Sequence, residues 1–394
     1  MPDLPIYLDN HATTRVDPRV VDAMLPYFTQ TYGNAGSTSH SFGQEAKAAA
    51  DDARGRIAAA IGASEREIVF TSGATESNNL AIRGTAERAR RRGNHVVSVT
   101  TEHKAVLDPL KKLARKEFEI TLLPVKQVGD PWAGLLDVAQ LKAALRDDTC
   151  LVSVMLANNE IGVIQPIREI GQICRERGIP FHCDATQAVG KIPVNVQELN
   201  VDFLSFTAHK IYGPKGIGAL YVRRGQRLEG QIDGGGQERG LRSGTLPVPL
   251  VVGFAAALDL CLQEMSTEQV RLHQLRGRLF SQLQTALPDM LLNGPELTAE
   301  FRLPGNLNVA FPFVQGEALM MSMRDIAVSS GSACTSANPE PSHVLRAIGQ
   351  TEDLTLASLR FGIGRFNTAE EIDYAAQLVI ENVRRLRQLS SLAP

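Results

Sequence analysis

Short apolar runs rich in Val, Ile and Phe alternate with helix-forming stretches between residues 66 and 222. Runs of this length and composition are typical of buried strands, and their alternation with helical segments indicates repeated strand–helix–strand units. The predicted strands cover residues 67–71, 95–101, 120–125, 150–157, 180–184, 201–207 and 217–222. The pattern therefore predicts an α/β fold with a mainly parallel sheet covered by helices on both faces.

Helical spacing of apolar residues fills the intervals between these strands and continues toward the C-terminus. The predicted helices cover residues 44–61, 76–92, 167–177 and 371–386, and a longer helical stretch covers residues 250–286. A chain of 394 residues exceeds the size that one core usually supports, so the long stretch is interpreted as a connector. We predict a large domain over residues 15–260 and a smaller α+β domain over residues 1–14 and 261–394.

Composition and charge narrow the classes of partner. Hydrophobic residues make up 43% of the chain and charged residues 21%, while 41 basic and 43 acidic residues leave a net charge of −2. This weak charge disfavours nucleic acid and anionic membranes as partners. The longest uncharged apolar stretch, residues 245–258, is too short to cross a bilayer, and the N-terminus lacks a secretory pattern. We therefore expect a soluble, cytoplasmic protein.

The five cysteines, at positions 150, 174, 183, 261 and 334, form no CxxC pair. Their odd number and wide spacing fit neither a disulfide framework nor a zinc site, so no metal is expected. Four of them have the apolar or helical surroundings of small core residues. Cys334 differs because the segment 329–341 around it is small and polar, and such a loop could carry a thiol into a cleft.

Polar residues follow several of the predicted strands, at the sheet edge where open α/β folds bind ligands. Residues 71–75 follow a strand and open a helix, so their backbone N–H groups could hold a phosphate. Asp184 ends a second strand, and Lys210 follows a third. A lysine can form a Schiff base with an aldehyde cofactor while an aspartate holds a protonated pyridine nitrogen, which outlines a site for pyridoxal phosphate (PLP).

Each of these features also has a structural interpretation. A glycine turn with a threonine cap is common at helix starts, and Asp184 and Lys210 could be a helix cap and a surface lysine. Lys215, in a Gly-Pro-Lys-Gly turn, is interpreted as a surface residue. His103, after the strand at residues 95–101, could be an acid or base, a group stacked on a flat ring, or an exposed loop histidine.

Seven motifs considered together resemble those of a known family. They are Thr-Ser-Gly-Ala-Thr-Glu-Ser (71–77), Thr-Glu-His-Lys-Ala-Val (101–106), Ala-Asn-Asn-Glu-Ile-Gly (157–162), Asp-Ala-Thr-Gln-Ala-Val-Gly (184–190), His-Lys-Ile-Tyr-Gly-Pro-Lys-Gly (209–216), Arg-Ser-Gly-Thr (242–245) and Ser-Ser-Gly-Ser-Ala-Cys-Thr-Ser (329–336). Essentially the whole chain resembles the cysteine desulfurases of the class-V aminotransferase family, of the long-loop type that serves nitrogen fixation and iron–sulfur cluster assembly. The resemblance implies the aspartate-aminotransferase-like fold of fold-type I PLP enzymes.

The resemblance also implies a role for each matching residue. Lys210 would be the Schiff-base lysine, Cys334 the persulfide nucleophile and His103 the residue stacked on the pyridine ring, while Asp184 and Gln187 would contact the pyridine nitrogen and the phenolic oxygen. The residues implied to complete the cofactor site are Ala74, Thr75, Thr207, His209 and, reaching across a homodimer, Thr245. Arg360 and Asn159 would hold the substrate carboxylate, a bidentate task that suits a guanidinium.

The implied activity is conversion of L-cysteine to L-alanine, with the sulfur held on Cys334 as a persulfide for an acceptor or scaffold protein. If the protein has a different enzymatic activity, the alternative is a selenocysteine lyase or another PLP-dependent β-elimination enzyme. The alternative that is not an enzyme is a catalytically idle sulfur carrier or assembly partner. Such a protein has no need of Lys210, Asp184, His103 and Arg360 together. Asn10 and His11 replace the Tyr-Ser common in the housekeeping iron–sulfur type, which leaves the acceptor open.

Overall fold

The computed structural model describes residues 2–90, 92–298, 300–330 and 341–389. Within these ranges the strands are β1 (Ile6–Tyr7), β2 (Ile68–Thr71), β3 (His95–Val99), β4 (Glu119–Leu123), β5 (Thr149–Ser153), β6 (Phe181–Asp184), β7 (Phe203–Thr207), β8 (Gly218–Val222), β9 (Leu291–Leu292), β10 (Asn306–Ala310), β11 (Ile326–Ala327), β12 (Ser329–Ser330) and β13 (Ser358–Gly362). The α-helices are α1 (Pro18–Met24), α2 (Pro26–Thr29), α3 (Ser41–Ala60), α4 (Ala74–Ala89), α5 (Lys104–Ala114), α6 (Val138–Ala144), α7 (Ile167–Arg177), α8 (Val196–Leu199), α9 (Val248–Ala286), α10 (Gly316–Ser322), α11 (His343–Ala347), α12 (Glu352–Leu356) and α13 (Ala369–Leu389). Short 3₁₀ helices cover Glu65–Glu67, Ala208–Lys210 and Glu238–Gly240.

A seven-stranded sheet forms the centre of the fold, in the order β2-β8-β7-β6-β5-β3-β4. Its neighbouring strands pair in parallel except at β8, which is antiparallel to both β2 and β7. All seven strands lie within a few residues of the ranges predicted from the apolar runs. The prediction of a mainly parallel sheet is therefore confirmed.

Helices cover both faces of this sheet. Successive strand residues point to opposite faces, and the apolar side chains on each face pack against helices. Phe70 and Phe206 pack in a large apolar cluster with α3 and α9. Val69 and Leu220 pack on the other face with residues of α4. Buried residues on both faces explain why the strands appear in the sequence as continuous rather than alternating apolar runs.

The long helix α9 leaves the large core and enters a second one. Its first half packs in the large apolar cluster, and Leu275, Leu279 and Leu283 pack in a separate cluster with β10, β13 and α13. By length and composition, α9 is the one helix of the described ranges that could cross a membrane. However, 50% of the most apolar 18-residue stretch of this helix is buried inside the protein. Burial of this kind is what a core helix shows. The helical stretch predicted over residues 250–286 is observed as the single helix α9.

The second core is built on an antiparallel sheet in the order β12-β13-β10-β9. The N-terminal strand β1 joins this part of the protein by pairing in parallel with β11. Leu303 and Val344, however, pack with the large core although they follow α9 in the chain. The predicted domain boundaries at residues 14 and 260 remain a prediction.

Candidate active site

One cavity of about 570 Å³ lies where the carboxyl ends of β6 and β7 meet the first turns of α4 and α5. Ten of the residues predicted from the sequence line it: Ala74, Thr75, His103, Asn159, Asp184, Gln187, Thr207, His209, Lys210 and Arg360. Most come from the large sheet and its helices, while Arg360 belongs to β13 of the second core. The fold thus brings together residues that are up to 286 positions apart in the sequence, from Ala74 to Arg360.

Two predicted residues are not among those that line the cavity. Thr245 is exposed and lies in the segment that precedes α9. Cys334 lies outside the described residues. Their roles in a site therefore remain predictions.

The first turn of α4 offers backbone N–H groups to the cavity. Gly73 is its N-cap residue, with φ 156°, and no side chain caps the helix. A Cβ on Gly218 would lie 2.7 Å from the Gly73 Cα, so these two glycines allow β8 and this turn to approach closely. An uncapped helix start beside the imidazole of His209 has donors that an anionic group such as a phosphate needs. The hydroxyl of Thr207 also lines the cavity and donates to the Ile217 backbone oxygen at 2.9 Å.

Asp184 presents a buried carboxylate at the end of β6. Its Oδ2 accepts a hydrogen bond of 2.6 Å from Asn78 Nδ2, and its Oδ1 accepts one of 2.9 Å from the Thr186 backbone N–H. These donors fix the carboxylate, which is 4% exposed and lines the cavity. A buried, oriented carboxylate suits a protonated ring nitrogen.

Lys210 ends the short 3₁₀ helix that follows β7. Its Nζ donates hydrogen bonds to the backbone oxygens of His11, at 2.6 Å, and Ala12, at 2.5 Å. The amine therefore lies between the sheet edge and the N-terminal segment, on the wall of the cavity. A lysine in this position can reach an aldehyde held beside Asp184.

Two histidines of the cavity are held as neutral rings. His103 is the N-cap of α5, and its Nδ1 accepts a hydrogen bond of 3.0 Å from the Ala105 N–H, so the proton of the neutral ring is on Nε2. Burial lowers the pKa of His103, an effect that the nearby Asp184 carboxylate opposes. Burial, followed by the Lys210 cation, lowers the pKa of His209 to about 4.

Arg360 is fully buried and is one of the residues that line the cavity. Its Nη2 donates to Asp9 Oδ1 at 2.7 Å and to Ser329 Oγ at 3.0 Å, and its Nη1 donates to the Asn159 backbone oxygen at 3.3 Å. Within the described ranges its buried Nε has no hydrogen-bond partner. A cation with an unsatisfied donor at a cavity wall can bind a carboxylate.

The other four cysteines have the properties predicted for core residues. Cys150, Cys174, Cys183 and Cys261 are buried and free. Burial raises the pKa of Cys150 and Cys261 to about 11, raises that of Cys174 to about 12, and raises that of Cys183 well above its ordinary value. None of these four thiols is ionised near neutral pH, so none is a ready nucleophile.

Reasoning from the sequence missed three residues around this site. Asn78 supports Asp184, and His11 and Lys191 both contact the Gln187 amide. Asn78 could have been found because it lies one helical turn after Thr75 and faces the same way. In the sequence, His11 stands out only as a departure from a family motif, since no local sequence pattern links it to Gln187.

Comparisons with known proteins agree with this geometry. The family model for class-V aminotransferases matches residues 6–375. A cysteine desulfurase IscS of Anaeromyxobacter dehalogenans (strain 2CP-C) is 57% identical over 391 residues, covering 99% of this chain and 95% of that protein. The chain belongs to the class-V aminotransferases, and within them to the cysteine desulfurases.

Further relatives extend the similarity to distant organisms and to solved structures. The cysteine desulfurase of Homo sapiens is 52% identical over 98% of this chain and 84% of that protein. The solved structure of a NifS-like protein has a TM-score of 0.89 at 37% identity, over 97% of this chain and all of that one. The predicted fold-type I architecture and the predicted enzyme class are thereby confirmed.

Proposed function

We propose that this cysteine desulfurase binds PLP in the cavity and transfers the sulfur of L-cysteine to Cys334 as a persulfide, releasing L-alanine. The observation that carries the proposal is the joint presence, around one cavity, of the Lys210 amine, the buried Asp184 carboxylate and the uncapped start of α4. These three groups match the aldehyde, the ring nitrogen and the phosphate of the cofactor. When bound, PLP supplies an electron-withdrawing ring that stabilises negative charge on the substrate carbon.

Each group of the cofactor has residues suited to hold it. Ala74, Thr75, Thr207 and His209 would hold the phosphate, with Asp184 at the pyridine nitrogen and Gln187 at the phenolic oxygen. Lys210 would attach the cofactor covalently, and His103 would lie against its ring. The neutral tautomer of His103 carries its proton on Nε2, which points away from the helix cap, so the ring can donate that proton to a bound substrate.

The remaining residues act on L-cysteine itself. Arg360 and Asn159 would orient the substrate carboxylate. The Cys334 thiolate attacks the substrate sulfur, a sulfur–sulfur bond forms as the carbon–sulfur bond breaks, and a proton added to the carbon completes alanine. The outer sulfur of the persulfide is then transferred to an acceptor or scaffold protein. The name IscS of the relatives suggests that this transfer serves iron–sulfur cluster assembly.

Quaternary structure and location complete the proposal. We propose a homodimer in which Thr245 reaches the phosphate site of the partner subunit, which agrees with its exposure on the single chain. Arg242 pairs with Glu76 at 2.9 Å and so holds the 242–245 segment beside the first turn of α4. The free thiols of the four described cysteines fit a reducing cytoplasm.

The direct test is product analysis with L-cysteine and a reductant. A desulfurase loaded with PLP releases equal amounts of alanine and sulfide. A β-elimination enzyme would release sulfide with pyruvate and ammonia instead, and that result would replace the proposed function. Selenocysteine as the strongly preferred substrate would favour the lyase alternative.

Arg360→Gln is expected to lower kcat/KM for L-cysteine by roughly 10²-fold, mainly through a higher KM, because a buried charge that pairs with the substrate carboxylate is lost. Steady-state kinetics measure this effect. Arg276→Gln is the matched control, since Arg276 is equally buried but donates to backbone oxygens outside the cavity. An unchanged KM in Arg360→Gln would rule out its role in substrate binding.

The activity is also expected to depend on the protonation of His103. Because its pKa lies below that of an ordinary imidazole, the ring is neutral at pH 7 and becomes protonated only as the pH falls. Protonation of the ring at Nδ1 removes the acceptor for the Ala105 N–H that orients it, so we expect kcat/KM to decrease on the acid side through that lowered pKa. His103→Gln should reduce kcat/KM by about 10²–10⁴-fold and remove this acid limb from the pH profile. An acid limb that is the same in the variant would assign it to another group.

A further inference from the structure

The Gln187 amide is held in a single orientation by groups behind the cofactor cavity. Lys191 Nζ donates to Gln187 Oε1 at 2.6 Å, and Gln187 Nε2 donates to the His11 backbone oxygen at 2.8 Å. A lysine amine has hydrogen atoms to donate, and a backbone oxygen can only accept. The two contacts therefore place the amide oxygen toward Lys191 and leave the second N–H of Nε2 for a ligand.

His11 strengthens this orientation from a third side. Its Nδ1 lies 3.3 Å from Gln187 Oε1, and burial keeps its pKa well below the ordinary value, so the ring is neutral. The Nδ1 must then carry the proton in order to donate to the amide oxygen. Gln187 Oε1 thus accepts from two donors, and a 180° rotation of the amide group would break both hydrogen bonds.

Lys191 reaches Gln187 because of a tight turn after β6. The Lys191 N–H donates to the Ala188 backbone oxygen at 2.9 Å, and Gly190 has φ +75°, which favours glycine. A Cβ on Gly190 would lie 2.8 Å from Ile211 Cγ2, so the turn packs directly against the segment after Lys210. The part-buried Lys191 also lines a second, small cavity of about 30 Å³, together with Glu268 and Gln269 of α9.

We propose that Lys191 is a positioning residue that acts through Gln187. By donating to the Gln187 oxygen, it fixes the amide so that the amide nitrogen donates to the phenolic oxygen of bound PLP. This inference rests on the proposed placement of the cofactor beside Gln187. It adds a residue that touches neither substrate nor cofactor in this scheme.

The charged and titratable groups that face Lys191 come from four parts of the chain. Among the described residues they are His11 of the N-terminal segment, Lys210 and Tyr212 after β7, Cys261 and Glu268 of α9, and Arg360 of β13. Burial, followed by the Lys210 cation, lowers the pKa of Lys191 to about 7. Whether charged or neutral, the amine still has hydrogen atoms to donate to the amide oxygen, so the orientation of Gln187 holds on both sides of that pH.

The expected consequence is spectroscopic. A donor at the phenolic oxygen makes that oxygen less basic and so weakens its hold on the proton it shares with the Lys210 nitrogen. Loss of the oriented donor should raise the pH midpoint at which the visible absorption band of the bound cofactor titrates, by about one pH unit. A purely structural role of Lys191 would lower stability without moving this midpoint.

A double-mutant cycle tests the inference on the holoenzyme. The visible band is titrated with pH in the native protein, Lys191→Met, Gln187→Ala and the double variant. We expect each single variant to raise the midpoint, and the double variant to match Gln187→Ala. Lys191→Arg should restore part of the shift, and Lys126→Met, which changes a lysine outside both cavities, should leave the midpoint unchanged. If Lys191→Met does not fold by circular dichroism, Lys191→Leu, which also lacks a donor, takes its place in the cycle.

The outcomes separate this inference from the proposed function. Shifts that add in the double variant would mean that the Lys191 charge acts on the cofactor directly, and an unshifted Lys191→Met would mean that it does not act on the cofactor at all. Both results overturn the positioning role while leaving PLP binding intact. Failure of the native protein to show any visible band with PLP would instead overturn the proposed function.

Discussion

Replacing Cys334 by alanine is expected to reduce sulfide release from L-cysteine by roughly 10³-fold or more, as for the loss of a covalent nucleophile in other enzymes. No described cysteine can take its place, because Cys150, Cys174, Cys183 and Cys261 are buried and burial raises the pKa of each thiol. The cofactor band should persist, since the residues around the cavity are unchanged. Sulfide and alanine assays together with an absorption spectrum measure both effects.

Cys150→Ala is the matched control for this prediction. Cys150 is buried within β5 and does not line the cavity, so its loss is expected to cost some stability but not activity. Native turnover by Cys334→Ala would contradict the persulfide mechanism. A lyase or β-elimination enzyme would then be the better description.

Replacing Lys210 by alanine is expected to abolish both the visible band of the bound cofactor and the activity, with a loss of roughly 10⁴-fold or more. The amine is fixed between the end of β7 and the backbone oxygens of His11 and Ala12, on the wall of the cavity. Absorption spectroscopy after incubation with PLP and the alanine assay measure the two losses.

Lys215→Ala provides the comparison, since Lys215 lines the same cavity only five positions later but is exposed. That variant should retain the visible band. A native band in Lys210→Ala would show that a different lysine attaches the cofactor, and Lys191 and Lys215 would be the candidates to examine by the same substitution.

The large sheet could be predicted from the sequence because its strands are buried on both faces and their apolar runs stand out from the helices. The exact ends were less predictable. Residues 76–92 were predicted as one helix, whereas α4 begins at Ala74 and ends at Ala89 with Arg90 as the C-cap. The sequence suggested a threonine cap for this helix, but the structure places Gly73 at the cap without a capping side chain.

The candidate site could be predicted where strand ends and motifs marked it, as for Asp184, Lys210 and His103. Contacts between distant segments could not. His11 meets Gln187 across 176 positions, and Arg360 meets Asp9 across 351, through packing that no local pattern encodes. The contacts that support the candidate site therefore depend on the tertiary fold, while the groups proposed to contact the cofactor follow from the sheet topology.

In the proposed reaction, sulfur from L-cysteine becomes bound to Cys334. The most direct measurement is mass spectrometry of the holoenzyme after a single addition of L-cysteine without reductant, followed by digestion and analysis of the peptides. We expect one additional sulfur atom on the peptide that carries Cys334, removable by a reductant and absent from the peptides of the other cysteines. Alanine formed with no additional sulfur on that peptide, or sulfur on another cysteine, would contradict it.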